Sequence, residues 1–230
     1  MEIKKIKTAT EYQTTKNKMN ISPEMYAWST CSLEDLWVFD KLIVAKKAGH
    51  LCGPRGIPVP KPGEYFVKPV TNIEGMGEKA RIEYLEEDTC HLHPGEFWCE
   101  IFTGEHISID YKKYEPILSA VGTKHKIHPY KRFTYWEKTE QTYPLPQFLG
   151  LIPLRYEKIN CEFIGGKLIE IHLRGNSDFS HGNTSIIPVW KDEHPENFDI
   201  HFHYTHLIRD GYRFISDNGE ELERLGIWIR

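Results

Sequence analysis

The sequence predicts an α+β protein built mainly from antiparallel strands, and three observations indicate this fold class. Residues 33–48 carry apolar side chains at helical spacing. Beyond them, short runs rich in β-branched and aromatic residues are separated by glycine, proline and asparagine, as in strands joined by tight turns. The chain has 230 residues, 40% of them hydrophobic, which is enough to bury a core.

The one predicted long helix, at 33–48, has recognisable ends. Ser32 and Asp35 have the form of a capping box, and Gly49 suits the position just past the last turn. Residues 1–24 before it are polar and have no clean period. We therefore expect them to form an arm or a short adapter rather than a domain.

The predicted strands follow an extended connection at 52–63 that is rich in proline and glycine. They cover residues 65–69, 81–85, 97–102, 106–111, 132–136, 159–164 and 167–173. Residues 201–208 and 212–216 around Asp210-Gly211 predict a late hairpin. Residues 220–225 predict one helical turn.

Charge and composition exclude several classes of protein. The formal charge of −4 gives no electrostatic footprint for duplex nucleic acid or an anionic membrane. No segment approaches the roughly 20 apolar residues of a membrane-spanning helix. The N-terminus lacks the apolar stretch of a signal peptide, and the 5 cysteines are too widely spaced for a disulfide framework or a CxxC zinc site. We expect a soluble, cytoplasmic protein without a membrane partner.

Common catalytic motifs are absent, including the Walker-type phosphate loop, GxGxxG, HExxH and GxSxG. Other residues suit a nucleotide site. Lys68 ends a predicted strand and precedes a glycine-rich segment at 71–77, so that a fixed positive charge lies beside backbone N–H groups that can cradle phosphates. Lys41 offers a second cation. Glu105, at the start of a strand, can accept hydrogen bonds from ribose hydroxyls.

The predicted strand at 167–173 presents a row of chemically active side chains on one face. Alternation places three residues toward the core: Ile169, Ile171 and Leu173. The other face carries an acid, a metal-capable base and a guanidinium: Glu170, His172 and Arg174. This row suits Mg²⁺ and a transferring phosphoryl group.

Whether Glu162 joins this row depends on the register of the hairpin around Gly165 and Gly166. A plain two-residue turn would point Glu162 away from Glu170. A three-residue turn or a glycine bulge would return Glu162 to the same face, and we predict such a bulge.

Taken in order, these segments resemble the ATP-grasp superfamily of carboxylate–amine ligases. The matching segments are an Asp40-Lys41 helix ending in Ala-Gly, a Val-Lys68-Pro strand with its glycine-rich loop, a segment containing Glu100 and Glu105, and a strand reading Glu-Ile-His-Leu-Arg174. They span about residues 36–176. The resemblance implies two α+β subdomains, each built on an antiparallel sheet, that clamp a nucleotide.

The resemblance also implies subdomain boundaries and residue roles. The chain would divide into an arm at 1–31, a helix plus lid-like subdomain at 32–104, and a central and C-terminal subdomain at 105–230. The residues implied for ATP, its lid loop, adenine and ribose are Lys41, Lys68, Glu74, Gly75, Gly77, Glu100, Ile101, Thr103 and Glu105. Those implied for Mg²⁺ are Glu162, Glu170, His172 and Asn176. Arg174 would act with Lys68 on the phosphoryl group.

The implied activity is ligation that depends on ATP and Mg²⁺, in which a carboxylate becomes an acyl phosphate and an amine attacks it. Two departures from the family pattern keep alternatives open. His172 stands where the family has asparagine, and only a short stretch precedes the Asp-Lys helix, so that a partner chain or second copy could complete the site. A phosphotransferase or a non-catalytic nucleotide-binding protein of the same fold is the first alternative. A nucleic-acid module working through the basic, aromatic residues 124–136 is the other, and the overall charge disfavours it.

A further alternative concerns histidines near the C-terminus. His201, His203 and His206 lie close together, and the first two would share a face of a strand. Zinc is conceivable there, although the spacing fixes no third ligand.

Overall fold

The smaller of two antiparallel sheets comes from the first part of the chain. The computed structural model describes residues 22–71, 79–195, 197–217 and 223–230. Its first four strands are β1 (Cys52–Pro54), β2 (Gly63–Pro69), β3 (Arg81–Leu85) and β4 (Glu96–Cys99). They form one sheet in the order β1-β4-β2-β3.

The larger sheet has eight antiparallel strands in the order β11-β12-β10-β7-β6-β5-β8-β9. Its members are β5 (His106–Lys112), β6 (Glu115–Lys124), β7 (Phe133–Lys138), β8 (Ile159–Ile164), β9 (Lys167–His172), β10 (Ser185–Trp190), β11 (Arg213–Ser216) and β12 (Arg224–Ile229). The fold class is α+β, as the sequence predicts. The chain passes from one sheet to the other between Cys99 and His106, while the predicted subdomain boundaries stay predictions.

The single helix predicted at 33–48 is wrong, because the chain breaks at Asp40. A 3₁₀ helix covers Leu33–Phe39, and α2 covers Lys41–Lys47. The Asp40 side chain accepts a hydrogen bond from the N–H of Ile43 at 2.9 Å, so Asp40 and not Ser32 is the side-chain cap. A tertiary contact fixes the break, since the N–H of Lys41 donates to the carbonyl of Val70 just after β2.

The described end of the predicted arm is a helix, α1, at Pro23–Thr30. Ser22 caps it by accepting from the N–H of Met25 at 3.2 Å, and proline occupies its first turn. Glu24 and Tyr26 on this helix are buried. The helix therefore packs against the body of the protein, and Glu24 becomes important below.

The C-terminal hairpin predicted at 201–208 and 212–216 is also wrong. Its first half forms two short helices, α4 (Ile200–His203) and α5 (Thr205–Arg209), after α3 at Ile152–Arg155. Asp199 caps α4 by accepting from two backbone N–H groups. Only the second half is a strand, β11, and it pairs with β12. β12 replaces the end of the helical turn predicted at 220–225, of which residues 220–222 lie outside the described residues.

The two faces of the larger sheet have different surroundings. Along β5, Ile107, Ile109 and Tyr111 join a buried cluster with residues of α1, the 3₁₀ helix and α2. The alternate residues His106 and Ser108 face the other way, toward the smaller sheet. This alternation leaves polar side chains on the face that lines a cleft.

The β8–β9 hairpin contains the predicted bulge, but not at its glycines. A two-residue turn joins the strands at Gly165 and Gly166, which both have positive φ. The register shifts beyond it, so that Glu162 pairs with Glu170 and Ile169 is the extra residue. The prediction that Ile169 faces the core is wrong for this reason. Ile169 lines the cleft, and Leu168 takes its place in the core.

Only glycine can occupy position 165. Its φ is +54°, and a Cβ there would collide with the carbonyl oxygen of Thr103. The hairpin turn is therefore held against the segment that connects the two sheets. That contact fixes the turn relative to the smaller sheet.

Candidate active site

A cleft of about 540 Å³ lies between the two sheets. It falls within the size range of small-molecule sites. Residues from both sheets and from α2 line it. Predicted site residues that it brings together are Lys41, Lys68, Glu100, Ile101, Glu162, Glu170, His172, Arg174 and Asn176.

The remaining predicted site residues are not part of this lining. Thr103 and Glu105 are exposed beside the cleft, between the two sheets in sequence. The ribose role of Glu105 stays a prediction without support from its position. Glu74, Gly75 and Gly77 lie outside the described residues.

Two carboxylates face each other in the centre of the cleft. Glu162 on β8 and Glu170 on β9 are direct cross-strand partners because of the bulge at Ile169. Glu162 accepts a hydrogen bond from the Nε2 atom of His106 at 2.9 Å, and the Nζ atom of Lys41 lies 3.2 Å from Glu170. Two like charges in adjacent positions repel, so each is stabilised by its own basic neighbour.

For Glu162, these basic neighbours affect the pKa more strongly than burial does. Burial by itself raises the pKa of this carboxyl group. The hydrogen bond and charge of His106, with the charges of His172 and Lys41, outweigh burial and lower the pKa to about 2. Glu162 is therefore an anion at neutral pH.

His172 connects this pair to helix α1. Its Nδ1 atom lies 2.9 Å from Glu24, and its Nε2 atom lies 3.7 Å from Glu170 and 3.9 Å from Glu162. Burial lowers the pKa of His172, but the charges of Glu24 and Glu170 and the bond to Glu24 outweigh burial and raise it. The imidazolium form is thus favoured, surrounded by carboxylates on both sides.

Glu24 also holds Arg174. The Nε atom of Arg174 donates to Glu24 at 2.6 Å, and Nη1 donates to the carbonyl of Gly175 at 3.2 Å. Burial raises the pKa of Glu24, yet the charges of His172 and Arg174 and their bonds lower it to about 2. α1 therefore supplies the anion that orients both basic side chains.

Lys68 is a second lysine of the cleft, and its surroundings differ from those of Lys41. Burial lowers its pKa. Among the residues that the structure describes, no carboxylate lies within ion-pair distance of its Nζ atom, which lies 5.5 Å from the ring of Phe97. A buried ammonium group without a counter-ion favours the binding of an anion.

The residues present fit Mg²⁺ in part. Mg²⁺ is commonly held by one or two carboxylates together with phosphate oxygens of the substrate, and Glu162 and Glu170 offer such a pair. Asn176 uses its side-chain oxygen to accept from the N–H of Asp178, and His172 contacts Glu24. Within the described ranges, no group of three or more His, Cys, Asp and Glu side chains is placed to hold a metal ion.

The histidines near the C-terminus were a second candidate metal site. His201 and His203 lie on α4 and His206 on α5, and among the described residues they form no metal-binding group. Helical structure also removes the shared strand face on which the zinc alternative depended. None of the described helices is long and apolar enough to cross a membrane.

The basic stretch at 124–136 contributes to the cleft instead of forming a separate surface. Lys124, Tyr130 and Lys131 line the cleft, and the ring of Tyr130 packs edge-on against Phe66 of β2 at 5.2 Å. Arg132 is buried and bonded to Asp192 and Glu223. Arg132 is therefore not available for the nucleic-acid contact that one alternative required.

Sequence reasoning missed two residues of the site. Glu24 lies in a polar segment with no clean period, and nothing in the sequence relates it to His172. His106 could have been found, because it shares a strand face with Ser108 in a segment predicted as a strand. Its buried ring bonds to Glu162 and packs edge-on against Phe133 at 4.8 Å.

Solved structures to which this chain is similar include an ATP-grasp superfamily protein and two ligases. An ATP-grasp superfamily protein from Archaeoglobus fulgidus is 13% identical with a TM-score of 0.42, over 80% of this chain and 67% of that chain. L-amino acid ligase from Bacillus licheniformis is 10% identical with a TM-score of 0.41, over 74% and 48%. D-alanine–D-alanine ligase from Bacillus anthracis is 12% identical with a TM-score of 0.35, over 70% and 63%.

The chain thus spans between about half and two thirds of the length of these proteins. No family model matches the sequence, and no curated protein matches it. Likenesses with TM-scores below 0.5 do not establish residue roles. The roles considered below therefore rest on the contacts within this chain.

Proposed function

We propose that this protein binds ATP between its two sheets and uses it to activate a carboxylate as an acyl phosphate, which an amine then attacks. The observation that supports this most is the convergence of Lys41, Lys68, Glu162 and Glu170 in one cleft. These residues come from three separate segments of the sequence. Two cations beside two anions suit a phosphate chain with its metal ion.

The residues have distinct tasks in this proposal. Lys68 binds phosphate oxygens from the smaller sheet, and Lys41 binds them from α2. Glu162 and Glu170 would hold Mg²⁺, which when bound neutralises part of the charge on the phosphates. Arg174, oriented by Glu24, contacts the oxygens of the transferring phosphoryl group.

The reaction proceeds in two balanced steps. An oxygen of the substrate carboxylate bonds to the γ-phosphorus of ATP, and the bond from that phosphorus to the bridging oxygen breaks, which leaves ADP and an acyl phosphate. The amine nitrogen then bonds to the acyl carbon, phosphate leaves with the electrons of the carbon–oxygen bond, and the nitrogen gives a proton to water. The cleft acts by positioning and by charge neutralisation.

One observation favours a second candidate, a nucleotide-binding protein without turnover. The Nε2 atom of His172 lies within 4 Å of both Glu162 and Glu170. An imidazolium ion there competes with Mg²⁺ for the same two carboxylates. The family pattern has asparagine at this position, which carries no such charge.

Calorimetric titration with a non-hydrolysable ATP analogue, with and without Mg²⁺, tests the proposal. We expect Lys68→Ala to weaken binding by about tenfold or more, since it removes a charge-assisted contact worth about 1.5–3 kcal/mol. Lys112→Ala is the matched control, because Lys112 ends β5 and is exposed. Equal affinities in the two variants, or no binding to the wild type, would overturn the proposal.

Phosphate release separates the two candidates once binding is established. We expect the wild-type protein to release phosphate from ATP only when a carboxylate and an amine are both present. Binding of ATP without release across a broad panel of both substrates would favour the non-catalytic candidate. A His172→Asn variant that gains Mg²⁺ affinity would point the same way.

A further inference from the structure

One end of the cleft has apolar and aromatic walls. In the larger sheet, β5 and β6 separate β7 and β10 from the glutamate-bearing strands β8 and β9. We name the lining residues at this end the aromatic pocket: Phe133, Trp136, Phe179, Ile186, Pro188 and Trp190. Most of them are buried, and Trp136, Phe179 and Ile186 form one hydrophobic cluster against which part-buried Phe133 packs.

The aromatic pocket shares a wall with the charged centre. The ring of His106 packs edge-on against Phe133 at 4.8 Å and against Trp136 at 5.6 Å. The Nε2 atom of the same ring bonds to Glu162. A molecule in the aromatic pocket can therefore reach the place where phosphoryl transfer is proposed.

A cation stands at the edge of the aromatic pocket. Lys124 is the cross-strand partner of Phe133, lines the cleft and is half-buried. Burial lowers its pKa, and no described carboxylate lies within ion-pair distance of it. The nearby Arg224, in contrast, pairs with Asp178 and Asp217. A partly desolvated lysine without a counter-ion favours an anionic ligand.

The opposite end of the cleft has a second apolar surface. Ile164 and Ile169 from the β8–β9 hairpin line that end, together with Ile101 after β4. The nucleotide can therefore lie with its base there and its phosphates at the centre. This arrangement leaves the aromatic pocket for the other substrate.

We propose that the aromatic pocket binds the carboxylic acid substrate, and that this substrate is an aryl- or alkyl-substituted acid whose apolar group packs on Phe133 and Trp136 while an acidic group meets Lys124. The assignment rests on the proposed function, since only ATP-dependent activation makes a carboxylic acid the substrate here. A substrate with charged groups throughout would leave them desolvated against apolar walls. A protonated amine would be repelled by Lys124.

Calorimetric titration with 3-phenylpropanoate tests the assignment, with glutarate as the polar comparison. Each acid is added to the protein alone and to the protein saturated with the ATP analogue and Mg²⁺. We expect 3-phenylpropanoate to bind at least tenfold more tightly than glutarate in both states. Lys124→Met should weaken its binding at least fivefold, and Phe133→Ala should weaken it as well. Lys126→Met is the matched control, because Lys126 is exposed and does not line the cleft.

The outcomes separate this proposal from the one on which it rests. If the ATP analogue binds but 3-phenylpropanoate binds no better than glutarate, or Lys124→Met behaves like Lys126→Met, the pocket assignment is overturned and nucleotide binding stands. Competition between 3-phenylpropanoate and the analogue would identify the pocket as the adenine site and overturn the assignment too. Failure of the analogue to bind would overturn the proposed function, and with it the substrate role.

Discussion

Two buried ion networks in this protein differ in how their charged side chains are paired. In the first, which we call the edge network, Arg224 forms paired bonds with Asp178 and with Asp217 at 2.6–3.1 Å. Each guanidinium edge meets a carboxylate, so the arginine uses its hydrogen bonds within the protein. Such bidentate pairs are typical of groups that hold a fold together.

The second, which we call the cleft network, joins Glu24, Lys41, Glu162, Glu170, His172 and Arg174. Here one carboxylate serves two basic groups, two glutamates face each other, and Lys68 stands nearby without a described carboxylate partner. The comparison teaches that like charges placed face to face, beside a cation without a described ion pair, mark the place where an external ion is expected. Each of the following predictions tests whether this difference is real.

The largest expected effect comes from breaking the edge network. Arg224→Leu would leave Asp178 and Asp217 partly buried without their cation, and we expect the free energy of unfolding to fall by about 3–5 kcal/mol. Urea unfolding monitored by tryptophan fluorescence measures it. Adding Asp178→Asn and Asp217→Asn should restore part of the loss. A loss below about 1 kcal/mol would show that the edge network is not structural.

A smaller effect should follow from acidification of the cleft network. The pKa of Glu24 is about 2 in the folded protein, against an ordinary value of 4.5. Between these values the unfolded chain binds the proton first, so the folded protein loses stability as the pH falls from 4.5 toward 2. In Glu24→Gln this carboxylate is gone, and we expect the acid-induced loss to shrink by up to about 3 kcal/mol.

Unfolding free energies at pH 7, 4.5 and 3 test this prediction. The variant should be the less stable protein at pH 7, because His172 and Arg174 lose their anion. The two proteins should then become more alike as the pH falls. Curves that stay parallel from pH 7 to 3 would contradict the low pKa of Glu24.

The smallest effect on stability should come from Glu170→Gln. The variant loses the contact with Lys41 but also the repulsion between Glu170 and Glu162, so we expect the free energy of unfolding to change by about 1 kcal/mol or less. Affinity for the Mg²⁺-bound ATP analogue should nevertheless fall several-fold. A large loss of stability with unchanged nucleotide affinity would place the cleft network in the same class as the edge network.

The sequence predicted many of the strands, but it missed β1, β6, β10 and β12 and did not predict the helices correctly. The strands at 81–85 and 159–164 have the bounds that alternation predicted, because a half-buried strand shows its period directly. The helix predicted at 33–48 has a good apolar period, but a backbone bond from Lys41 to the end of β2 breaks it. The segment 201–208 alternates like a strand, and a cap from Asp199 makes it helical instead. A long-range contact determined the structure of the first segment, and a local helix cap determined that of the second.

The site residues could be predicted from the sequence where they alternate along a strand. Glu170 and His172 share a face with each other, and the bulge that brings Glu162 to them was expected. Glu24 was not predictable, because 148 residues separate it from His172 and only packing brings the two together. Lys124 was recognised as basic, yet whether it lay on an open surface or in a cleft could not be read from composition.

The bulge at Ile169 changes which residues of β9 face the core, from even-numbered to odd-numbered ones. Before it, even-numbered Leu168 points to the core, and after it, odd-numbered Ile171 does. Insertions and deletions in this hairpin therefore have unusual consequences. A regular ladder that kept Ile169 would pair Glu170 with Cys161 and turn Glu162 away, whereas deletion of Ile169 would leave Glu162 opposite Glu170. The bulge, formed by a residue that contributes no chemistry of its own, is thus what lets the two carboxylates face each other.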